Sequence, residues 1–138
     1  MKNLYQPSKI LSKEEFEKIG KALLPSWCKE TATFGNVRKR WSINNPARGQ
    51  CMTTACVIND RFGGKLVYDR TNHHYWNQLP DGTWQDFTRI QFKSDVEFVV
   101  TKYKTKEEVL SDEYALKYNA KGRYELLKQK FLKNYATL

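Results

Sequence analysis

Cys51 stands where a cysteine thiol can act as a nucleophile. Gly49, Gln50 and Cys51 lead into an apolar stretch that predicts a helix over residues 50–62, so the thiol lies in its first turn. Free backbone N–H groups and the helix dipole favour a thiolate there and can bind the negative oxygen of a reaction intermediate. The position also suits Cys51 as the first core residue of a buried helix. The Gln50 amide either donates a further hydrogen bond to that oxygen or faces solvent.

A histidine and an aspartate on a predicted β-hairpin are suitable partners for this thiol. Residues 74–87 alternate in polarity around a Pro-Asp-Gly turn, which is typical of two paired strands. His74 can act as the base, and Asp86 lies within cross-strand reach to orient its imidazole. The adjacent His73 faces the other way, because successive strand residues point to opposite sides. The alternatives are a structural histidine and an aspartate that only caps a turn.

Tryptophans and a basic loop accompany these three residues. The candidates for the walls of a substrate cleft are Trp41, Trp76 and Trp84. The loop over residues 36–48 contains no acidic residue, so it can recruit an acidic substrate or protein. Its candidate partner-binding side chains are Arg38, Lys39, Arg40 and Arg48.

Helices and strands must bring these residues together. The predicted helices cover residues 12–24, 50–62, 106–118 and 122–135, and the predicted strands cover 65–68, 74–79 and 83–87. Ser12 and Glu15 form a capping box for the first helix. The core-facing residues of that helix are Phe16, Ile19, Ala22 and Leu23. Residues 25–49 are predicted to form a long ordered loop, and residues 97–100 either a strand or a buried loop.

This order of elements predicts an α+β fold in one domain over residues 1–138. A central helix carries the cysteine at its N-terminus and packs on a small antiparallel sheet. The domain has an N-terminal helical segment (residues 1–24), a catalytic-like core (46–92) and C-terminal helices (105–138).

Charge and composition limit the possible partners and locations. The chain has 24 Lys and Arg against 15 Asp and Glu, a net charge of +9, which favours an acidic partner. A nucleic-acid ligand is possible, but no known binding motif supports it. Three cysteines, no apolar membrane segment and no signal-peptide pattern predict a cytoplasmic protein without disulfides. The sequence contains no zinc-ligand spacing and no nucleotide loop, so we expect no metal and no cofactor.

The motifs resemble a known family. A cysteine at a helix N-terminus, then His-x-Trp, then Trp-x-Asp-x-Thr is similar to the core pattern of transglutaminase-like proteins. The YunG-like family of small bacterial proteins is a closer resemblance. The stretches that carry it are residues 46–51 (Pro-Ala-Arg-Gly-Gln-Cys), 60–64, 74–82, 86–92 and, more weakly, 122–127 (Gly-Arg-Tyr-Glu-Leu-Leu). The resemblance runs from about Trp27 to the last helix and leaves out residues 1–24.

The resemblance implies a papain-like cysteine-hydrolase fold with a triad of Cys51, His74 and Asp86. We therefore expect a thiol-dependent hydrolase or acyl transferase that acts on an amide or acyl carbonyl: a peptidase, an amidase or deamidase, or a transglutaminase-like enzyme. Its oxyanion donors would be the Cys51 N–H and the Gln50 side chain. The alternative is a non-catalytic module of the same fold that binds or inhibits an acidic protein. A nucleic-acid binder is a third possibility.

Overall fold

Helices and a small antiparallel sheet form an α+β fold, as the sequence predicts. The computed structural model describes residues 11–92 and 95–138, so residues 1–10 of the predicted N-terminal segment lie outside it. The helices in these ranges are α1 (Lys13–Leu23), α2 (Asn36–Lys39), α3 (Cys51–Phe62), α4 (Lys106–Ser111), α5 (Glu113–Lys117) and α6 (Ala120–Ala136). The strands are β1 (Lys65–Asp69), β2 (His74–Gln78), β3 (Trp84–Gln85) and β4 (Lys102–Lys104). Short 3-10 turns cover Lys29–Thr31 and Arg89–Gln91.

The sheet has the strand order β3-β2-β1-β4, and neighbouring strands are antiparallel. The predicted hairpin is present as β2 and β3, closed by a backbone bond from the Leu79 N–H to the Thr83 carbonyl. β3 is shorter than the predicted strand over residues 83–87. Asp86 ends it, because its Oδ1 accepts the Thr88 N–H at 3.2 Å and turns the chain out of the ladder.

The fourth strand lies later in the chain than the run of apolar residues at 97–100. β4 pairs with β1, whereas the described residues from 95 to 100 are irregular and partly exposed. The Val99 N–H donates to the Asp69 carboxylate at 2.9 Å instead of to a neighbouring strand. The Asp69 carboxylate therefore takes the place of a neighbouring strand as the hydrogen-bond acceptor for the Val99 N–H.

Helix α3 is enclosed by the sheet on one side and α6 on the other. It begins one residue later than predicted, because Gln50 is its N-cap, and it ends where Gly63 adopts a φ of 78°. Most of its residues are buried, including both Cys51 and Cys56. Asn77 of β2 donates to the Ala55 carbonyl at 2.9 Å, a bond that fixes the helix against the sheet.

Helix α1 is capped as predicted but differs from prediction at two side chains. Ser12 accepts the Glu15 N–H at 3.1 Å, and Ile19 is fully buried with its neighbours on the same face. The Glu15 carboxylate does not complete a capping box. It bonds Arg61 of α3 and Tyr135 of α6 instead, because both lie beside this turn. Phe16, predicted to face the core, is 40% exposed and stacks on Phe87.

The C-terminal helices differ from prediction at their boundaries. The helix predicted over residues 106–118 is interrupted at Asp112, which has extended backbone geometry (ψ 167°). Its Oδ1 accepts the Ala115 N–H at 2.7 Å, so Asp112 both ends α4 and caps α5. α6 starts earlier than residue 122, at a cap formed by Asn119 in the left-handed conformation.

Between α1 and α3 the chain forms the predicted ordered segment, together with α2 and the first 3-10 turn. Trp27 anchors it to α3 through a bond from Nε1 to Thr54 Oγ1 at 2.9 Å. Gly49 has a φ of 73°, and a Cβ placed there would lie 2.6 Å from Val37 Cγ1. The backbone of this segment therefore packs closely just before the helix that carries Cys51.

Two leucines of α6 provide a matched test of this packing. Leu127 is fully buried and Leu132 is 49% exposed. We expect Leu127→Ala to lower the free energy of unfolding by about 2–5 kcal/mol because it leaves a cavity. Leu132→Ala should change it by about 0.5 kcal/mol or less. Urea unfolding followed by circular dichroism measures both values, and equal losses would contradict this placement of α6.

Candidate active site

Cys51 is the first residue of α3 and is nearly buried, with 9% exposure. Its Sγ lies 3.9 Å from the His73 carbonyl oxygen. The backbone N–H groups of a first turn have no partner inside the helix, and they carry the positive end of the helix dipole. The thiol therefore lies at the end of α3 where negative charge on sulfur or on a nearby oxygen is stabilised.

His74 begins β2, and its ring is fully buried. The ring Nε2 lies 2.7 Å from Asp86 Oδ2. Nδ1 has no hydrogen-bond partner among the described residues. Since Nε2 is already engaged by the carboxylate, Nδ1 is the nitrogen available to the neighbouring Cys51 thiol.

Asp86 is held in place by the turn that follows it. Its Oδ1 accepts the Thr88 N–H at 3.2 Å and lies 3.4 Å from Thr88 Oγ1, while Oδ2 contacts His74. The two oxygens thus serve two partners. Asp86 therefore caps the turn through Oδ1 and orients the imidazole through Oδ2. The sequence had offered these two functions as alternatives.

The pKa of His74 reflects this environment. Burial by itself lowers the pKa of the imidazole, but the hydrogen bond to Asp86 and the nearby Cys51 thiol outweigh burial. Together they raise the pKa from its ordinary 6.5 to about 9. The raised pKa favours the imidazolium at neutral pH, and an imidazolium stabilises a thiolate beside it.

The two adjacent histidines have different environments. His73 has an exposed side chain and a φ of 49°, a left-handed conformation that few residues other than glycine adopt. Only its carbonyl oxygen contacts Cys51. The imidazole that meets the carboxylate belongs to His74.

Aromatic rings cover the His74 imidazole. The Phe98 ring stacks on it at a centroid distance of 4.6 Å, Phe92 meets it edge-on at 5.0 Å, and Trp76 lies at 5.8 Å. The sequence predicted Trp76 but not the two phenylalanines. The sequence does show apolar residues after the hairpin. Nothing local in it indicates that their side chains pack on His74.

Asp69 fixes the segment that carries Phe98. The sequence did not predict this function of Asp69. This buried carboxylate accepts the Asn72 N–H, the Asn72 Nδ2 and the Val99 N–H at 3.2, 2.7 and 2.9 Å. These bonds hold its pKa below the usual range despite burial. Asp69 pairs directly with His74 across β1 and β2. An aspartate at a strand end before a polar turn was the signal that could have revealed it.

A groove of about 440 Å³ lies beside Asp86. Its lining residues are Trp76, Trp84, Asp86, Arg89, Val96, Glu97 and Phe98. Trp76 and Trp84 contact each other edge-on at a centroid distance of 5.4 Å. Of the three candidate residues only Asp86 lines the groove; Cys51 and His74 do not.

Comparison with known proteins gives a family. The family model described as YunG protein matches residues 15–136, which include all three candidate residues. The chain belongs to the YunG family. It is 32% identical over 84 residues to "Uncharacterized protein YunG" of Bacillus subtilis (strain 168), covering 59% of this chain and 67% of that protein. No solved structure matches the chain significantly. The family match begins inside α1, so it includes most of the helix that the motif resemblance left out.

Gln50 and Trp41 lie in the YunG-family region but are engaged away from the thiol. Gln50 is fully buried; its Oε1 accepts from Thr31 Oγ1 at 2.7 Å and its Nε2 donates to the Cys28 carbonyl at 2.8 Å. This amide anchors the preceding loop, neither facing solvent nor pointing into an open cleft. Trp41 donates from Nε1 to the Pro46 carbonyl at 2.9 Å and does not line the groove.

The basic loop divides into inward and outward side chains. Arg38 Nη2 donates to the Glu30 and Ala32 carbonyls, both at 3.0 Å, so this guanidinium is bonded internally. Lys39 and Arg40 are exposed, and Arg48 is half-buried. Two of the four predicted partner-binding residues therefore present their charges fully to solvent.

Within residues 11–92 and 95–138, no group of three or more His, Cys, Asp or Glu is arranged to hold a metal ion. In the same part of the chain, no helix is both long and apolar enough to cross a lipid bilayer.

The pairing of His74 with Asp86 predicts a specific pH dependence of stability. The pKa of His74 is raised in the folded state, so the stabilisation is complete below pH 6.5 and is lost as pH rises through about 9. We expect Asp86→Asn to lower the free energy of unfolding at about pH 6 by on the order of 2–3 kcal/mol, and by much less at about pH 10. Urea unfolding at the two pH values measures this. The exposed carboxylate of Asp95 provides the control variant, Asp95→Asn; a pH-independent loss in Asp86→Asn would exclude the charged pair.

Proposed function

We propose that this protein is a thiol-dependent hydrolase or acyl transferase that acts on an amide or acyl carbonyl. The proposal rests on the 2.7 Å contact between His74 Nε2 and Asp86 Oδ2, and on the Cys51 thiol near the same imidazole at the N-terminus of α3. We further propose that the helix α3 and its sheet are a papain/transglutaminase-like core. The order of motifs in the sequence and the central position of α3 against an antiparallel sheet support this.

The first half-reaction forms a bond between Cys51 Sγ and the carbonyl carbon. His74 holds the thiol proton as an imidazolium, and the thiolate attacks the carbonyl. The backbone N–H of Cys51 and its neighbours in the first turn donate to the negative oxygen of the tetrahedral intermediate. The carbon–nitrogen bond then breaks, and His74 gives its proton to the leaving amine.

The second half-reaction releases the acyl group from sulfur. His74, now neutral, takes a proton from water in hydrolysis or from an amine in transfer, and the oxygen or nitrogen attacks the thioester. The sulfur leaves as a thiolate beside the renewed imidazolium. Asp86 keeps the ring oriented and stabilises its positive charge in both halves.

One observation favours a second candidate function. The imidazole is fully buried beneath aromatic rings, and Cys51 is only 9% exposed. A non-catalytic module of the same fold would have the same closed arrangement. Such a module would use the exposed Lys39 and Arg40 to engage an acidic protein.

Thiol reactivity distinguishes the two functions. We expect iodoacetamide to alkylate Cys51 rapidly even at a pH below the ~8.5 at which a free thiol ionises, because the His74 cation stabilises the thiolate. His74→Gln should remove this low-pH reactivity. Mass spectrometry resolves each cysteine. Cys56 serves as an internal reference, since burial and then the charge of Asp60 raise its pKa to about 12.

The neighbouring histidine supplies the matched control. His73→Gln changes an exposed ring next to the site and should leave the alkylation profile of Cys51 unchanged. Treatment with p-nitrophenyl acetate should then place an acetyl group on Cys51 and release p-nitrophenolate in a stoichiometric burst. If Cys51 reacts no faster than the half-buried Cys28 in the native protein, the enzyme proposal is wrong and the binding module is favoured.

A further inference from the structure

Two arginine side chains contact the ring of Phe34, away from the candidate active site. The guanidinium carbon of Arg38 lies 3.8 Å from the ring centroid, and that of Arg123 lies 5.5 Å from it. Arg38 belongs to α2 and Arg123 to the first turns of α6. The two arginines that contact Phe34 thus come from distant parts of the sequence.

Arg123 is an unpaired buried cation. It is 3% exposed, and its Nε donates to the Tyr118 carbonyl at 3.2 Å. Its Nη1 and Nη2 are buried and have no hydrogen-bond partner in the described part of the chain. A guanidinium stays charged in proteins, and a buried charge without a counter-charge is strongly unfavourable.

Arg38 adds a second cation that is rigidly held. Its Nη2 is bonded to two backbone carbonyls, while its Nε is buried and unpartnered in the residues described. Neither arginine forms a salt bridge within those residues. Burial lowers the pKa of Arg123, Tyr114 raises it, and the positive charge of the nearby Arg38 lowers it again.

We propose that Arg38 and Arg123 form a binding site for a phosphate-sized oxyanion beside Phe34. Three buried guanidinium nitrogens lack acceptors among the described residues, and guanidinium groups bind phosphate oxygens through charge-assisted hydrogen bonds. The ligand enters on the side of Arg38, which is only half-buried. This site does not depend on the triad or on the proposed reaction.

The charge of the site favours phosphate over a carboxylate. The two cations lie near each other, and the exposed Glu30 near Arg38 forms no salt bridge with it. A dianion neutralises both arginines, whereas a monoanion leaves one positive charge. The phosphate is either a free ion or the phosphate group of a phosphomonoester, since both present the same oxygens to the arginines.

Calorimetric titration with inorganic phosphate tests the site. We expect saturable binding, and we expect Arg38→Gln and Arg123→Lys each to weaken it tenfold or more, since each removes charge-assisted hydrogen bonds. Arg40→Gln removes an exposed charge from the same loop and should bind phosphate like the unmodified protein. Cys51→Ala should also bind normally, because the site is independent of the thiol.

Three outcomes would overturn the proposal: no saturable phosphate binding, equal loss of affinity in Arg40→Gln and Arg38→Gln, or acetate binding as tight as phosphate. If Arg123→Lys does not fold, Arg38→Gln alone decides the test. Arg38 is only half-buried, so we expect this variant to fold. A parallel titration with O-phosphoserine identifies the source. Equal affinity for both ligands indicates a phosphomonoester, and binding of inorganic phosphate alone indicates the free ion.

Discussion

The contact between His74 and Asp86 links the parts of this structure that matter for its chemistry. It joins the first residue of β2 to the turn after β3, and it fixes the imidazole at the end of the sheet that meets the N-terminus of α3. The imidazole is fully buried, while the Asp86 side chain is 15% exposed and lines the groove. The direction of the imidazole, and with it the environment of the Cys51 thiol, follows from this one contact.

Helix α3 supplies the other constraint. It is covered by the sheet and by α6, and Trp27 and Asn77 each bond to it from a different side. A helix held in this way cannot rotate or slide, so its first residue has a defined position relative to β2. Rigid support of this kind is what a nucleophile needs for a productive geometry, and it explains why so much of the hydrophobic core surrounds a single helix.

The sequence predicted the contact between His74 and Asp86 because its signals are local, whereas Gln50, Trp41 and Arg38 bond elsewhere than predicted. A glycine before a helix identified Cys51, and a two-strand hairpin with a Pro-Asp-Gly turn determined that His74 and Asp86 lie close together. The α+β class and the family followed from the same motifs. The covering rings of Phe92 and Phe98, the support from Asp69, and the contacts of Arg38 and Arg123 with Phe34 were missed, because each depends on contacts between distant segments. The break at Asp112 was missed for another reason: a side-chain cap there outweighs the helical pattern around it.

The two edges of the sheet have a consequence for how this protein behaves at high concentration. β3 contains two residues and β4 contains three, with a lysine at each end of β4. Exposed strand edges are the places where folded chains add to one another and begin to aggregate, and short or charged edges oppose this. The sheet therefore offers little backbone to a neighbouring molecule, and the strong positive charge of the chain adds mutual repulsion. Both features oppose self-association of the folded chain, while Cys51 and His74 remain buried.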